Sequence, residues 1–342
     1  MAVTASLAAA CADVPRLATT SVGGQSTPRG NDDLGALVPA GTETVLEIDL
    51  AALRASPWSR GIFASASADE RARHAERRGF DEMMDVDKAV FAGGSRDPAS
   101  LTLAQGRFER DRVARAFADD LRASDGEPAA SSVESSWRGV SVWHDGGGGR
   151  AIAFLTPQTL LSGPLAAVRG AIDCALGAAP DACAERGLAD ARSALEGGPA
   201  ARPALRLAAI VTEGLRARVR GELWAEGSGD ALRAVQRVGA RLDVGSGLDV
   251  DVVAWLDSAR DADLLAASLA ALIRDLKARR ALNAFGLAPF LDFRVAARGP
   301  RVLGGLHIDE DRREDLAAKL GAVAQAIAAH KGGGGAGSEE ER

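Results

Sequence analysis

Val250-Asp251-Val252-Val253-Ala254-Trp255-Leu256 and the leucines that follow it, Leu264, Leu265, Leu269, Leu272 and Leu276, decide the fold. Val250, Val252, Ala254 and Leu256 share one face of a strand, and the leucines recur at helical spacing. Phe293 and Val295 then pair with Val302, Leu306 and Ile308 across a Gly299-Pro300 turn, and Leu316, Leu320, Val323 and Ile327 mark a closing helix. The same order stands about 150 residues earlier. There Leu101-Thr102-Leu103 is the strand, and Val113, Ala116, Phe117 and Leu121 line the helix. The hairpin joins Val140-Ser141-Val142-Trp143 to Ile152-Ala153-Phe154-Leu155, and Val168, Ala171, Ile172 and Ala175 line the second helix. The expectation is an α+β fold of two similar halves, each a mainly antiparallel sheet with helices packed on one face.

The segments that open each half match less well. Leu46, Ile48 and Leu50 alternate with Val45, Glu47 and Asp49 as a strand. Ser56-Pro57 reads as an N-cap with Pro in the first turn, leading into an Arg-rich helix that ends at Gly79. Ala89-Val90-Phe91 forms a hairpin with Leu101-Thr102-Leu103. In the second half, Leu205, Leu207 and Ala209 mark a strand and 218–225 another, and 227–241 reads as a helix through Leu232, Val235 and Val238. The organisation expected is a leader-like segment at 1–11, a polar tether at 12–40, halves at 41–185 and 200–330, and a Gly- and Glu-rich tail at 331–342.

The chain has 342 residues, 46% hydrophobic and 26% charged, enough to bury a large core without a metal or disulfide scaffold. A net charge of −6 leaves no basic excess for a general nucleic-acid binder. The basic residues are nearly all Arg and Tyr is absent, which is the composition of a GC-rich genome. The uncharged stretch 151–168 holds Pro157, Gly163 and Pro164 and reads as strand, turn and helix start, not as a membrane span.

Three cysteines occur. Leu7-Ala8-Ala9-Ala10-Cys11 resembles the lipobox of bacterial lipoproteins, in which the chain is cut before the Cys and the thiol takes a lipid such as palmitate. The stretch is short and no Lys or Arg precedes it, as expected if translation starts upstream. Cys174 and Cys183 then remain as a pair flanking a loop with Gly177 and Pro180. A disulfide there suits an oxidising envelope compartment and contributes roughly 2–3 kcal/mol on the chain-entropy model.

No nucleophile elbow, zinc-protease helix or dinucleotide fingerprint is present, and Gly146–Gly149 lacks the Lys-Ser/Thr of a phosphate loop. No cofactor or metal site is expected. Of four histidines, His144 beside Asp145 is the best candidate base for a hydrolase, and His307 lies near Asp309. The pairs Asp85/Asp87, Asp249/Asp251, Asp261/Asp263 and Asp309/Asp311 are read as caps at element starts, Asp309-Glu310-Asp311 most clearly. Five tryptophans are scattered, and they make a binding surface only if several share one sheet face.

Several stretches together resemble uncharacterised envelope lipoproteins of GC-rich proteobacteria, myxobacteria in particular. They are Leu7 to Cys11, Thr44 to Leu50 running on to Leu53 and Ser56-Pro57, Phe80-Asp81 with Asp85-Val86-Asp87, and Gly106-Arg107-Phe108. The resemblance covers mainly 40–175 and implies a location and an α+β architecture. The function expected is a membrane-tethered, non-enzymatic binding or structural protein. It faces the periplasm from the outer membrane rather than the inner, through lipid on Cys11, with an envelope protein or an apolar ligand as partner. A carrier holding an apolar ligand between the halves or on a sheet face is the second reading, and a hydrolase without a motif the third.

Overall fold

The protein is described here from a computed structural model covering residues 33–59, 68–94, 100–124, 132–182, 186–195, 203–216, 233–279, 283, 286–290 and 292–319. The α+β class holds. The two halves are not two sheets, however, but the two sides of one antiparallel twelve-stranded sheet.

The first half contributes β1 (Thr44–Asp49), β2 (Val86–Gly93), β3 (Leu101–Gly106), β4 (Val133–Trp137), β5 (Val140–His144), β6 (Ala151–Thr156) and β7 (Thr159–Gly163). The second contributes β8 (Leu205–Ile210), β9 (Val235–Asp243), β10 (Gly247–Leu256), β11 (Arg294–Arg298) and β12 (Arg301–Asp309). The spatial order is β11-β12-β10-β9-β8-β1-β2-β3-β7-β6-β5-β4. It reads outward alike in both directions from the β1/β8 junction. The strands β8, β9, β10, β12 and β11 match β1, β2, β3, β7 and β6. The hairpin that corresponds to β11/β12 is therefore β6/β7, and β4 and β5 are additions at one edge.

Register fixes which side chains share a face, because paired residues point the same way. One rung crosses the whole sheet: Ser135, Val142, Ala153, Leu161, Leu103, Val90, Glu47, Arg206, Arg241, Asp251, Gly305 and Arg294. This is the back face. It is apolar across the first half and turns charged at Glu47, where the halves meet.

Helices flank both faces. On the back, α4 (Leu165–Ala175) seats Val168, Ala171 and Ile172 in one core with Leu103, Val142 and Leu161, and α5 (Arg186–Ser193) adds Leu188 and Ala191. On the front lie α1 (Leu50–Ala55) and α3 (Arg110–Ser124), with Leu50, Val113 and Phe117 meeting Ala89, Ala104 and Leu160. The polar helix α2 (Ala68–Arg78) packs on α3. It ends at Gly79, whose φ of +81° suits Gly and whose added Cβ would stand 2.7 Å from Val113 Cα. Helix α6 (Ala259–Ala278) covers the second half's front through Ala262 and Leu265 against Leu256 and Val302. Ser258 caps α6, its Oγ accepting from Asp261 N–H at 3.1 Å.

Four sequence readings are corrected. The helix expected over 227–241 is, from Val235 onward, strand β9. Its phase breaks at a bulge opposite Trp255/Leu256, beyond which Val238, Ala240 and Leu242 alternate. Ser56 does not start a helix but ends α1, its N–H donating to Ala52 O and Leu53 O. Asp309 makes no cap bond, because its carboxylate is engaged by His307. Strand β7, with Leu160 on the front and Leu161 on the back, was not foreseen. The strand expected at 218–225 and most of the closing helix lie outside the described residues.

Candidate functional site

The front face carries a cavity of ≈ 680 Å³. Its floor is built from two neighbouring rungs. Ile152, Ser162, Thr102 and Phe91 form one, and Leu160, Ala104, Ala89 and Ile48 the other. Small side chains at Ala89 and Ala104 leave the depth, and Val113 and Phe117 of α3 form one wall. Leu50, Phe80 and Met83 form the other. An edge-to-face stack runs from Phe80 to Phe108 at 5.2 Å and on to Phe154 at 6.2 Å, stiffening the side nearest α3. Phe91 stays 39% exposed at the mouth, unusual for a large apolar side chain in a strand between two others.

Charge sits only at the rim. Arg150 pairs with Asp120 and stands 5.7 Å from the Phe117 ring, while Arg78 pairs with Glu82 at 3.6 Å. Arg77 reaches His74 Nδ1 at 3.5 Å and, among the described residues, no carboxylate. Such a site, apolar inside with polar groups at its edge, falls within the 300–1,000 Å³ of small-molecule pockets. Sequence reasoning did not find it. Its walls come from five strands and three helices, and each apolar member alone reads as core.

The candidates the sequence offered are placed elsewhere. Asp145 closes its own Gly-rich turn, its Oδ2 accepting from Arg150 N–H at 3.0 Å, and His144 Nδ1 is buried without a partner among the described residues. The two do not form a dyad. His307 lies on the back face, its Nδ1 2.5 Å from Asp249 and its Nε2 3.0 Å from Asp309. Two carboxylates on opposite ring nitrogens favour the doubly protonated ring, and the bond to Asp249 is the main cause of its raised pKa. A ring with both nitrogens engaged by carboxylates has no free lone pair aimed at a substrate. Its two carboxylates also face opposite edges and cannot chelate one ion. Among the described residues no three His, Cys, Asp or Glu side chains are placed to share a metal.

His307 makes a direct test of the back-face geometry. Its NMR titration midpoint lies above 6.5, and Asp249→Asn moves it back toward that value. Because the folded value is raised, the group's stabilising contribution is complete below 6.5 and is lost as pH rises through the folded midpoint. A wild-type midpoint at or below 6.5 would contradict the paired ring.

Of the other acids, Asp87 pairs with Arg54 at 2.5 Å, Asp251 with Arg241 at 3.2 Å, and Asp85 accepts from Asp81 N–H at 2.9 Å. Trp143 points to the front face and Trp137 and Trp255 to the back, the last two far apart on β4 and β10, so these three make no common surface. Cys174 ends α4 with a free thiol 3.4 Å from Pro180 O, and burial pushes its pKa up to about 11, well away from nucleophilic use. Cys11 and Cys183 lie outside the described residues.

Comparison with known proteins gives distant structural neighbours. No family model matches the sequence, and neither does any curated protein. Crystal form III of TP0453 is similar over 85% of this chain and 99% of that one, with 10% identity and a TM-score of 0.47. Crystal form I is similar over 86% and 98%, with 10% identity and a TM-score of 0.44. Likenesses of this strength assign neither a family nor an activity. None of the described helices is long and apolar enough to cross a membrane.

Proposed function

We infer that the protein is a non-enzymatic, membrane-tethered envelope lipoprotein that carries an apolar ligand in the front-face cavity. The observation that carries this reading is the cavity itself: a floor of aliphatic and small side chains, open at Phe91, with charge confined to its rim. An apolar guest entering it removes its own surface and that of the floor from water, at about 25 cal/mol per Å². Lipid on Cys11 belongs to the same reading, whereas the disulfide expected between Cys174 and Cys183 does not, because the Cys174 thiol is free. An acylated Cys11 gains roughly 0.8 kcal/mol per buried methylene, so a multiply acylated residue holds the body at the membrane.

Two experiments test this. Cys11→Ser moves the protein from the membrane to the soluble fraction, and unchanged fractionation removes the anchor. Ala89→Leu fills the cavity floor. It abolishes binding of a fluorescent fatty alcohol while the melting temperature stays level or rises, since it fills a void rather than overpacking a core. Unaltered probe binding in a folded Ala89→Leu protein would remove the carrier reading.

A further inference from the structure

We propose that the ligand is an amphiphile, and that the hydroxyls of Thr102 and Ser162 hold its hydrogen-bonding oxygen head at the open end of the cavity. This rests on the carrier reading above and adds the chemical class and orientation of the ligand.

The floor is not uniform along its strands. Its inner row, Ile48, Ala89, Ala104 and Leu160, is aliphatic throughout. Two residues along, the next row runs Phe91, Thr102, Ser162 and Ile152, with the two hydroxyl residues directly opposite each other on β3 and β7. Two residues further, Ser100, Pro164 and Arg150 border the cavity. Floor polarity therefore rises from Ala89 and Ala104 toward Ser100. Arg77, Arg78 and Glu82 stand at the opposite end, where Gly79 meets Val113, but as exposed rim residues beside the apolar Val86, Phe80 and Met83.

Exposure follows the same direction. Ala89, Ala104 and Leu160 are buried, Thr102 and Ser162 are half-buried, and Phe91 and Ser100 are exposed. The hydroxyls thus stand between the closed part of the floor and its mouth. Among the described residues neither hydroxyl has a hydrogen-bond partner. A hydrocarbon lying over them displaces their water and leaves both unsatisfied, which opposes binding. An oxygen on the guest replaces that water. Arg150 borders the same end but is already paired with Asp120, so the hydroxyls make the contact. The tail then runs inward over Ala89 and Ala104, and the head stays at the Thr102/Ser162 row.

The test uses two fluorescent probes of equal chain length on the full chain, one ending in a hydroxyl and one in a methyl group. The ratio of their affinities, compared between variants, removes whatever affects both probes alike. Thr102→Val and Ser162→Ala each delete one hydroxyl with little change in volume. Each lowers the hydroxyl-to-methyl affinity ratio about threefold, and the double variant lowers it about tenfold. The methyl probe binds as in wild type or more tightly, and the melting temperature holds. A ratio unmoved in the folded variants overturns the head assignment and leaves the carrier reading intact. Loss of both probes in the folded variants also overturns it, since the two residues would then shape the cavity and not hold a head. Binding of neither probe by wild type overturns both readings.

Discussion

Arg241→Ala destabilises the protein by about 3–5 kcal/mol, seen as a large fall in the urea midpoint. Arg241 and Asp243 are neighbours on the back face of β9, each only 3% exposed. The guanidinium reaches Asp243 at 2.5 Å, Leu195 O at 3.0 Å and Asp251 at 3.2 Å. Truncation strands a buried carboxylate and a buried carbonyl at once, which costs far more than the pair contributes. The double variant Arg241→Met/Asp243→Leu recovers most of the loss, because it removes both charges together. If the double variant is as unstable as the single one, the stranded-charge account fails.

The same pair has a pH signature. Burial, the larger influence, raises the Asp243 carboxyl above its ordinary value, and Arg241 pulls it down. The folded chain therefore holds this proton more tightly than the unfolded chain. Its contribution is fully present below the unfolded value and is lost as pH rises through the folded one. Without Arg241 the upward shift grows, so the deficit of Arg241→Ala is smaller at acid pH than at neutral pH. Urea unfolding of the single variant at the two pH values measures the difference.

Leu103→Ala costs about 2–5 kcal/mol. Leu103 is fully buried, on the rung that carries Arg241, but on the apolar side of the β1/β8 junction. It lies between Val90 and Leu161 beneath α4, where Val168, Ala171 and Ile172 are also fully buried. Truncation opens a void with rigid walls on every side. The halves share one sheet, so the loss appears in a single unfolding transition reported equally by Trp143 in the first half and Trp255 in the second. Two separated transitions would mean that the halves unfold independently, against the continuous pairing of β1 with β8.

Much of this architecture is legible in single stretches. Strands β1, β2, β3 and β10 declare themselves by alternation, and α3 and α6 by helical spacing. What escapes depends on partners. In β7, Leu160 and Leu161 are adjacent and both buried, one on each face, so no alternation marks the strand. In β9, Val235 and Val238 stand three apart because a bulge intervenes, and three is also a helical interval. Edge strand β4, Val133-Glu134-Ser135-Ser136-Trp137, is too polar to read as more than loop. The repeat is legible as an order of elements, but β6/β7 rather than β5/β6 is the true counterpart of β11/β12, and only pairing reveals it. The cavity is the least legible feature. Ile48 and Ile152 line one cavity although three strands separate theirs, and Ala89 and Ala104 matter for what they leave empty.

A crystal structure with a bromine-labelled fatty acid tests the carrier reading most directly. The carrier reading predicts anomalous bromine signal inside the cavity, between Ala89 and Ala104 on the floor and Val113 and Phe117 on the wall. Bromine bound elsewhere on the molecule, or an empty cavity at saturating ligand, would contradict it.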